Sequence, residues 1–216
     1  MSVHLRPEEI EAESFRIIDT EVGPHDWSAE EWPIVRRAIH TSADFDYART
    51  MVFSADAVAR GIGALRAGRG IVTDTTMALA GINKGLLNQF GAAISCFVAD
   101  SAVSAEAVRL GITRSILAMR KAAADPANRI FVIGNAPTAL FELLRLVREE
   151  GLQPDLVVGL PVGFVGAEES KEELLQEASR HAIPFITNRG RKGGSNVAAA
   201  VMNALLKSAE SCQAPG

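Results

Sequence analysis

Cysteine is nearly absent from this 216-residue chain: Cys96 lies inside an apolar run and Cys212 close to the end, which excludes a disulfide framework and a cysteine metal site. Histidine is also sparse, and His4, His25, His40 and His181 are too scattered for a local metal-binding motif. No run approaches the roughly 18 apolar residues that cross a bilayer. The opening MSVHLRPEEIEAE is charged where a secretory signal would be apolar, so a cytoplasmic location without membrane association is expected. Positive charge is not in surplus: 22 Lys and Arg face 26 Asp and Glu, a net charge of −4 that argues against nucleic acid as a partner. The common cofactor signatures are missing too. GIGALR at 61–66 lacks the final glycine of GxGxxG and precedes a strand instead of following one, and there is neither GxxxxGK[ST] nor GxSxG. Dinucleotide redox chemistry, phosphoryl transfer on a P-loop and serine hydrolysis therefore have no support.

What is present is apolar material, 48% of the residues, enough for one sizeable core. Five short apolar runs bounded by turn residues read as buried strands: 70–74, 93–98, 129–134, 155–160 and 184–187. Between them lie helical spacings, the clearest in PTALFELLRLVREEG, where Leu140, Leu143, Leu144 and Val147 share a face and Gly151 supplies the stop. Ahead of the strands the spacing predicts three helices. One spans Pro7 to Asp19, one opens on Ser28 with Glu31 as capping-box partner, and one runs from Ser54 to Ala67. The expected fold is α/β: a single-domain three-layer sandwich around a mostly parallel, about five-stranded sheet. Within that one domain, 1–69 is mostly helical, 70–209 is the α/β core and 210–216 is a flexible tail.

Ligands of such sheets bind beyond the carboxyl ends of the strands. There the sequence places Asp74, Thr75 and Thr76, then Gly134 and Asn135, then GLPVGFVGAEESK with Gly163, then NRGRKGGS with Arg189, Arg191, Lys192, Gly193, Gly194 and Ser195. Glycine-rich loops let backbone N–H groups approach an anion, and arginine forks match carboxylates, so a polycarboxylate ligand fits. His40 falls at the predicted C-terminal end of the Ser28 helix, where the macrodipole favours the imidazolium and makes it a candidate proton donor.

Four blocks carry a resemblance over nearly the whole length: RRAIHTSADFDYARTMVFS at 36–54, VIGNAPTALFELL at 132–144, GLPVGFVGAEESK at 159–171 and PFITNRGRKGGSNVAAA at 184–200. In these the chain resembles the precorrin-8X and cobalt-precorrin-8 methylmutases. The resemblance implies an isomerase of corrin (cobalamin) biosynthesis that moves the methyl group from C-11 to C-12 of the ring. Precorrin-8X would become hydrogenobyrinic acid, and cobalt-precorrin-8 would become cobyrinic acid. It implies His40 as the catalytic acid of a suprafacial 1,5-sigmatropic shift, and substrate contacts at Ser14, Arg37, Asn83 and Arg114. Some family members carry Thr where this chain has Asn83, while GINKGLL is closer to the cobalt-using branch. No methyl donor, resident metal or cofactor is implied, since any cobalt belongs to the substrate. A homodimer with the tetrapyrrole near the subunit interface is expected. Two other readings stay open: a phosphosugar or nucleotide-binding isomerase, and a non-catalytic tetrapyrrole carrier.

Overall fold

A computed structural model describes residues 6–211. His4, Cys212 and most of the expected tail at 210–216 lie outside the described residues. The chain begins with α1 (Pro7–Val22), α2 (Trp32–Ser42), α3 (Tyr47–Thr50), β1 (Met51–Phe53) and α4 (Ala57–Arg66). Then follow β2 (Gly70–Thr73), α5 (Thr76–Gly81), α6 (Lys84–Gln89), β3 (Ile94–Ser95), α7 (Ser101–Leu110) and α8 (Arg114–Ala123). The second half alternates β4 (Asn128–Ile133), α9 (Pro137–Glu150), β5 (Leu156–Gly159), α10 (Ala167–His181), β6 (Phe185–Asn188) and α11 (Ser195–Ser211).

All five expected strands form, the run at 93–98 only as the two-residue β3, and they pair in parallel in the order β6-β5-β4-β2-β3. The apolar runs are continuous because both faces are covered. Ile130 and Val132 face one core cluster, while Phe131 and Ile133 face the other. The sheet has a sixth member in the segment expected to be helical. β1 pairs antiparallel with β6, Met51 opposite Asn188 and Phe53 opposite Ile186. Three residues are too few for an alternating pattern to show, and the strand exists because β6 offers it an edge.

That edge also corrects the expected helix start at Ser54. Its hydroxyl accepts the Phe185 N–H (3.1 Å) and its own N–H donates to the Phe185 carbonyl (3.0 Å), so it extends the strand pairing and α4 starts at Ala57. The Ser28–Glu31 capping box does form, with reciprocal bonds of 3.2 and 3.1 Å. Regular helix nevertheless begins at Trp32: its N–H reaches the Ser28 carbonyl, but Pro33 has no N–H to continue that ladder. α9 buries Leu140, Leu143, Leu144 and Val147 and stops at Gly151 (φ 71°), as the spacing predicts.

Helices cover both faces of the sheet. α8, α9 and α10 pack on one, and α4, α5 and α11 on the other. The small residues of α11, SNVAAAVMNALL, admit close packing on opposite sides: α11 touches β4 and β5 and also receives α2, with α1 lying on α2. Strand order reverses between β2 and β4, so the switch-point crevice opens where their carboxyl ends part.

Candidate functional site

Ten polar or charged residues are buried among the described residues, and seven of them lie at or just beyond the carboxyl ends of strands: Thr73, Asp74, Ser170, Lys171, Thr187, Asn188 and Ser195. Burying polar groups is unfavourable unless they are hydrogen-bonded, so such a concentration marks a rim built to hold loops in place. At the crevice, Asp74 accepts the N–H groups of Gly134 (2.9 Å), Asn135 (2.8 Å) and Ala136 (2.7 Å). Burial pushes the Asp74 carboxyl up, while the three amides, which bind its ionised form, draw it back. The Thr75 and Ser195 hydroxyls meet at 2.7 Å, joining the loops after β2 and β6. The Gly194 N–H donates to the Leu160 carbonyl (3.0 Å) and the Gly163 N–H to the Arg191 carbonyl (3.2 Å), which joins the loops after β5 and β6. Four strand-end loops thus form one continuous surface.

Its basic edge is exposed. Arg189 pairs with Glu172 at 2.8 Å, Arg191 lies 3.8 Å from Glu168, and the Arg191 guanidinium stands 5.9 Å from the centre of the Phe164 ring. Phe164 and Val165 are 86% and 89% exposed, an apolar strip beside the arginines. Lys192 turns the other way and pairs with Asp44 and Asp46, both at 2.6 Å. Those two carboxylates hold the Lys192 ammonium above its ordinary value, and Lys192 with Arg49 lowers Asp46.

The same ion pairs connect this edge to α2, since Asp44 lies four residues beyond His40. His40 occupies the last turn of α2, half-buried, with its ring 5.3 Å from that of Phe15 on α1. Arg37, one helical turn earlier, reaches Glu11 at 2.6 Å. The Arg37 hydrogen bond is the largest influence on Glu11 and, with Lys207 beside it, lowers that carboxyl to about 2. A cleft of about 400 Å³ opens beside Arg37, lined among others by Glu11, Phe15, Arg36 and Lys207 but not by His40. A larger cleft of about 630 Å³ around His25 and Trp27 contains none of the sequence-predicted site residues.

The structure sorts those residues into two groups. Asp74, Thr76, Asn135, Gly163, Arg189, Arg191, Gly193, Gly194 and Ser195 occupy the strand-end rim, with Thr76 and Asn135 exposed. Arg114 joins them, exposed at the start of α8, where the Thr113 hydroxyl donates to that of Thr138 at the start of α9. Ser14, Arg37 and His40 form the second group on α1 and α2, where the Ser14 hydroxyl donates to the Ile10 carbonyl. Asn83 lies between: it caps α6, and its N–H donates to Asn203, about 12 Å along α11 from Ser195 at 1.5 Å per residue. Among the described residues, no cluster of three or more His, Cys, Asp and Glu side chains is disposed to hold a metal ion. No helix among them is long and apolar enough to cross a membrane.

Sequence reasoning passed over Glu11, Phe15 and Lys171. A signal existed for Lys171, which shares the inward face of α10 with Ala167, Ser170, Leu174 and Ala178, an odd place for a lysine.

Comparisons with known proteins bear on the family and the fold. The family model described as Precorrin-8X methylmutase matches residues 9–208. A cobalt-precorrin-8 methylmutase of Priestia megaterium is 49% identical over 207 residues, spanning 96% of this chain and 90% of the relative. A precorrin-8X methylmutase of a Sinorhizobium species is 38% identical, spanning 90% and 91%. The crystal structure of a precorrin-8X methylmutase from Thermus thermophilus superposes with a TM-score of 0.87 at 40% identity, covering 96% of this chain and 98% of that one. With the same fold and extensive identity end to end, the chain belongs to the precorrin-8X methylmutase family.

Proposed function

We propose that this protein isomerises a corrin precursor by moving a methyl group from C-11 to C-12, with His40 as the acid. The observation that carries this is the setting of His40: half-buried in the last turn of α2, against Phe15, one turn from Arg37, and joined to the basic rim through Asp44 and Lys192. In the protonated state the imidazolium donates to a ring-C nitrogen. The C-11 to methyl bond then breaks as the C-12 to methyl bond forms, and the proton returns to His40, so nothing is consumed. Arg189, Arg191 and Arg114 are cations suited to peripheral carboxylates, and the exposed Phe164 ring offers apolar contact to the macrocycle. Ser14, Asn83 and the amides near Gly163, Gly193 and Gly194 supply neutral polar contacts.

The substrate is proposed to carry cobalt already. Relatives named cobalt-precorrin-8 methylmutase are between 40% and 49% identical, three of them at 47–49%, against 38% to 40% for proteins named precorrin-8X methylmutase. The metal is then part of the substrate, and the protein needs none of its own. A homodimer is part of the same proposal, and the exposed Val165, next to Phe164, is surface that a subunit interface beside the ligand would cover.

The test follows the absorbance change from precursor to corrin with cobalt-precorrin-8 and with metal-free precorrin-8X. Wild type is expected to convert the cobalt form faster. His40→Ala is expected to bind it and lose about 100-fold to 10,000-fold in rate, the usual range for general acid catalysis. Binding without conversion by wild type would instead identify a carrier.

A further inference from the structure

Lysine is seldom found out of solvent, yet Lys171 is 1% exposed. Its Nζ donates to the Lys192 carbonyl at 2.7 Å and to Asn188 Oδ1 at 3.2 Å. Asn188, fully buried at the end of β6, answers from Nδ2 with bonds to the Lys192 carbonyl (2.9 Å) and the Arg189 carbonyl (3.1 Å). The Lys192 carbonyl is therefore shared by two buried side chains, and the turn over 189–192 is closed from beneath. Charged groups surround this brace without reaching it. Glu168 and Glu172, on the same helix, are engaged by Arg191 and Arg189, while Lys192 is occupied with Asp44 and Asp46. Burial lowers the Lys171 amine to about 8, partly offset by Glu168 and Glu172. Two of its N–H donors are met by the Lys192 carbonyl and Asn188 Oδ1. An apolar side chain would fill this space at lower cost, so the lysine is explained by what it holds rather than by packing.

Resting on the reading that the basic loop receives the substrate's carboxylates, we infer that Lys171 is a positioning residue: from below, it fixes the backbone of 189–192 so that Arg189, Arg191 and the amides that follow face the ligand in one arrangement. Buried as it is, Lys171 does not itself meet the ligand. It acts by removing loop freedom that binding would otherwise have to freeze.

The test is Lys171→Met in the full chain, which keeps the apolar stem and removes both donors. Lys171→Gln, which keeps a donor on a shorter arm, carries the same test where the Met variant does not fold. Hydrogen–deuterium exchange is expected to speed up about tenfold in peptides spanning 189–195, the effect of losing about 1.4 kcal/mol of hydrogen bonding, and to stay unchanged in β4 and α9. The Kd for cobalt-precorrin-8 is expected to rise about tenfold with kcat at saturation altered less than about threefold, and Lys171→Gln is expected to fall between. A purely structural role would instead quicken exchange throughout the domain and leave the affinity of folded molecules intact. Unchanged exchange over 189–195 overturns the brace, and faster exchange with unchanged Kd overturns its link to binding. If wild type binds no tetrapyrrole, the functional reading fails, while the exchange data still decide whether Lys171 orders the loop.

Discussion

Phe15 and His40 meet with their ring centroids 5.3 Å apart and their planes at 68°. The same phenyl ring carries the Arg36 and Arg37 guanidinium carbons at 4.3 and 4.8 Å from its centre. One aromatic side chain on α1 thus seats the proposed acid and two neighbouring cations, using the negative face of its π system. Phe15→Leu keeps apolar bulk but loses that face. We expect turnover to fall about tenfold, because a 1.4 kcal/mol misplacement of His40 or Arg37 suffices for that factor. Urea midpoints should change modestly, since swaps that keep most of the apolar volume usually cost under about 1.5 kcal/mol. Wild-type turnover in Phe15→Leu would show that His40 is seated without the ring.

Glu11 offers a test by pH. Its carboxyl is held at about 2 in the folded protein, against an ordinary 4.5, chiefly by Arg37. A carboxylate whose pKa is lowered by folding adds stability above the unfolded value and loses it as pH falls through the folded one. Wild type should therefore lose this contribution between about pH 5 and pH 2, and Glu11→Gln should show a shallower fall in urea midpoint over that window. The side chain is 40% exposed, so solvent screening keeps the effect small. Parallel midpoint curves for the two proteins would contradict the assigned pairing.

How much of this was legible follows from what kind of pattern each feature leaves. The strands at 129–134 and 155–160 stand out because burial on both faces demands unbroken apolar runs. β1 leaves no such mark: three residues hold it to β6, and only the finished edge selects them. The rim was legible as loops, because Gly134 leads into a helix start and Gly193 clusters with Arg189 and Arg191 ahead of another. Its internal wiring was not, since the Asp74 contacts to 134–136 and the Lys171 contact to 192 span long separations in sequence. His40 could be placed at a helix end from spacing, but its partner Phe15 sits on another helix, and no local pattern joins the two.

Asp74 shows how firmly the crevice is wired. Three backbone donors converge on a carboxylate that is 1% exposed. In Asp74→Asn the side chain has a single acceptor oxygen, and its amide hydrogens oppose at least one of the loop N–H groups. Each buried donor left unsatisfied costs about 1–3 kcal/mol, so a loss of roughly 2–4 kcal/mol in urea unfolding is expected. Exchange should quicken first at 134–136. Stability equal to wild type would mean that the loop can find other acceptors, and Asp74 would be free for a role with the ligand.

At Gly193 the loop after β6 lies against the one after β5. A Cβ built there would stand 2.3 Å from the Leu160 carbonyl oxygen and 2.6 Å from that of Pro161, both backbone atoms that cannot rotate aside. Gly193→Ala must therefore lift one loop from the other, and the adjacent Gly194 N–H to Leu160 bond, at 3.0 Å, lies directly in the path of that shift. Overpacking of this kind costs about 1–3 kcal/mol. Because the displaced segment also carries Arg191 and leads into Ser195, tetrapyrrole affinity should fall about tenfold or more alongside stability. Gly63→Ala makes the matching control. Its Cβ would meet nothing within 4 Å, and it lies inside α4, where alanine is favoured over glycine by about 0.5–1 kcal/mol. Urea unfolding and ligand titration of the two variants should then move in opposite directions for stability, with affinity altered only at position 193. A Gly193→Ala protein with wild-type stability and affinity would mean that the loops part without consequence, and that their close contact is not what shapes the rim.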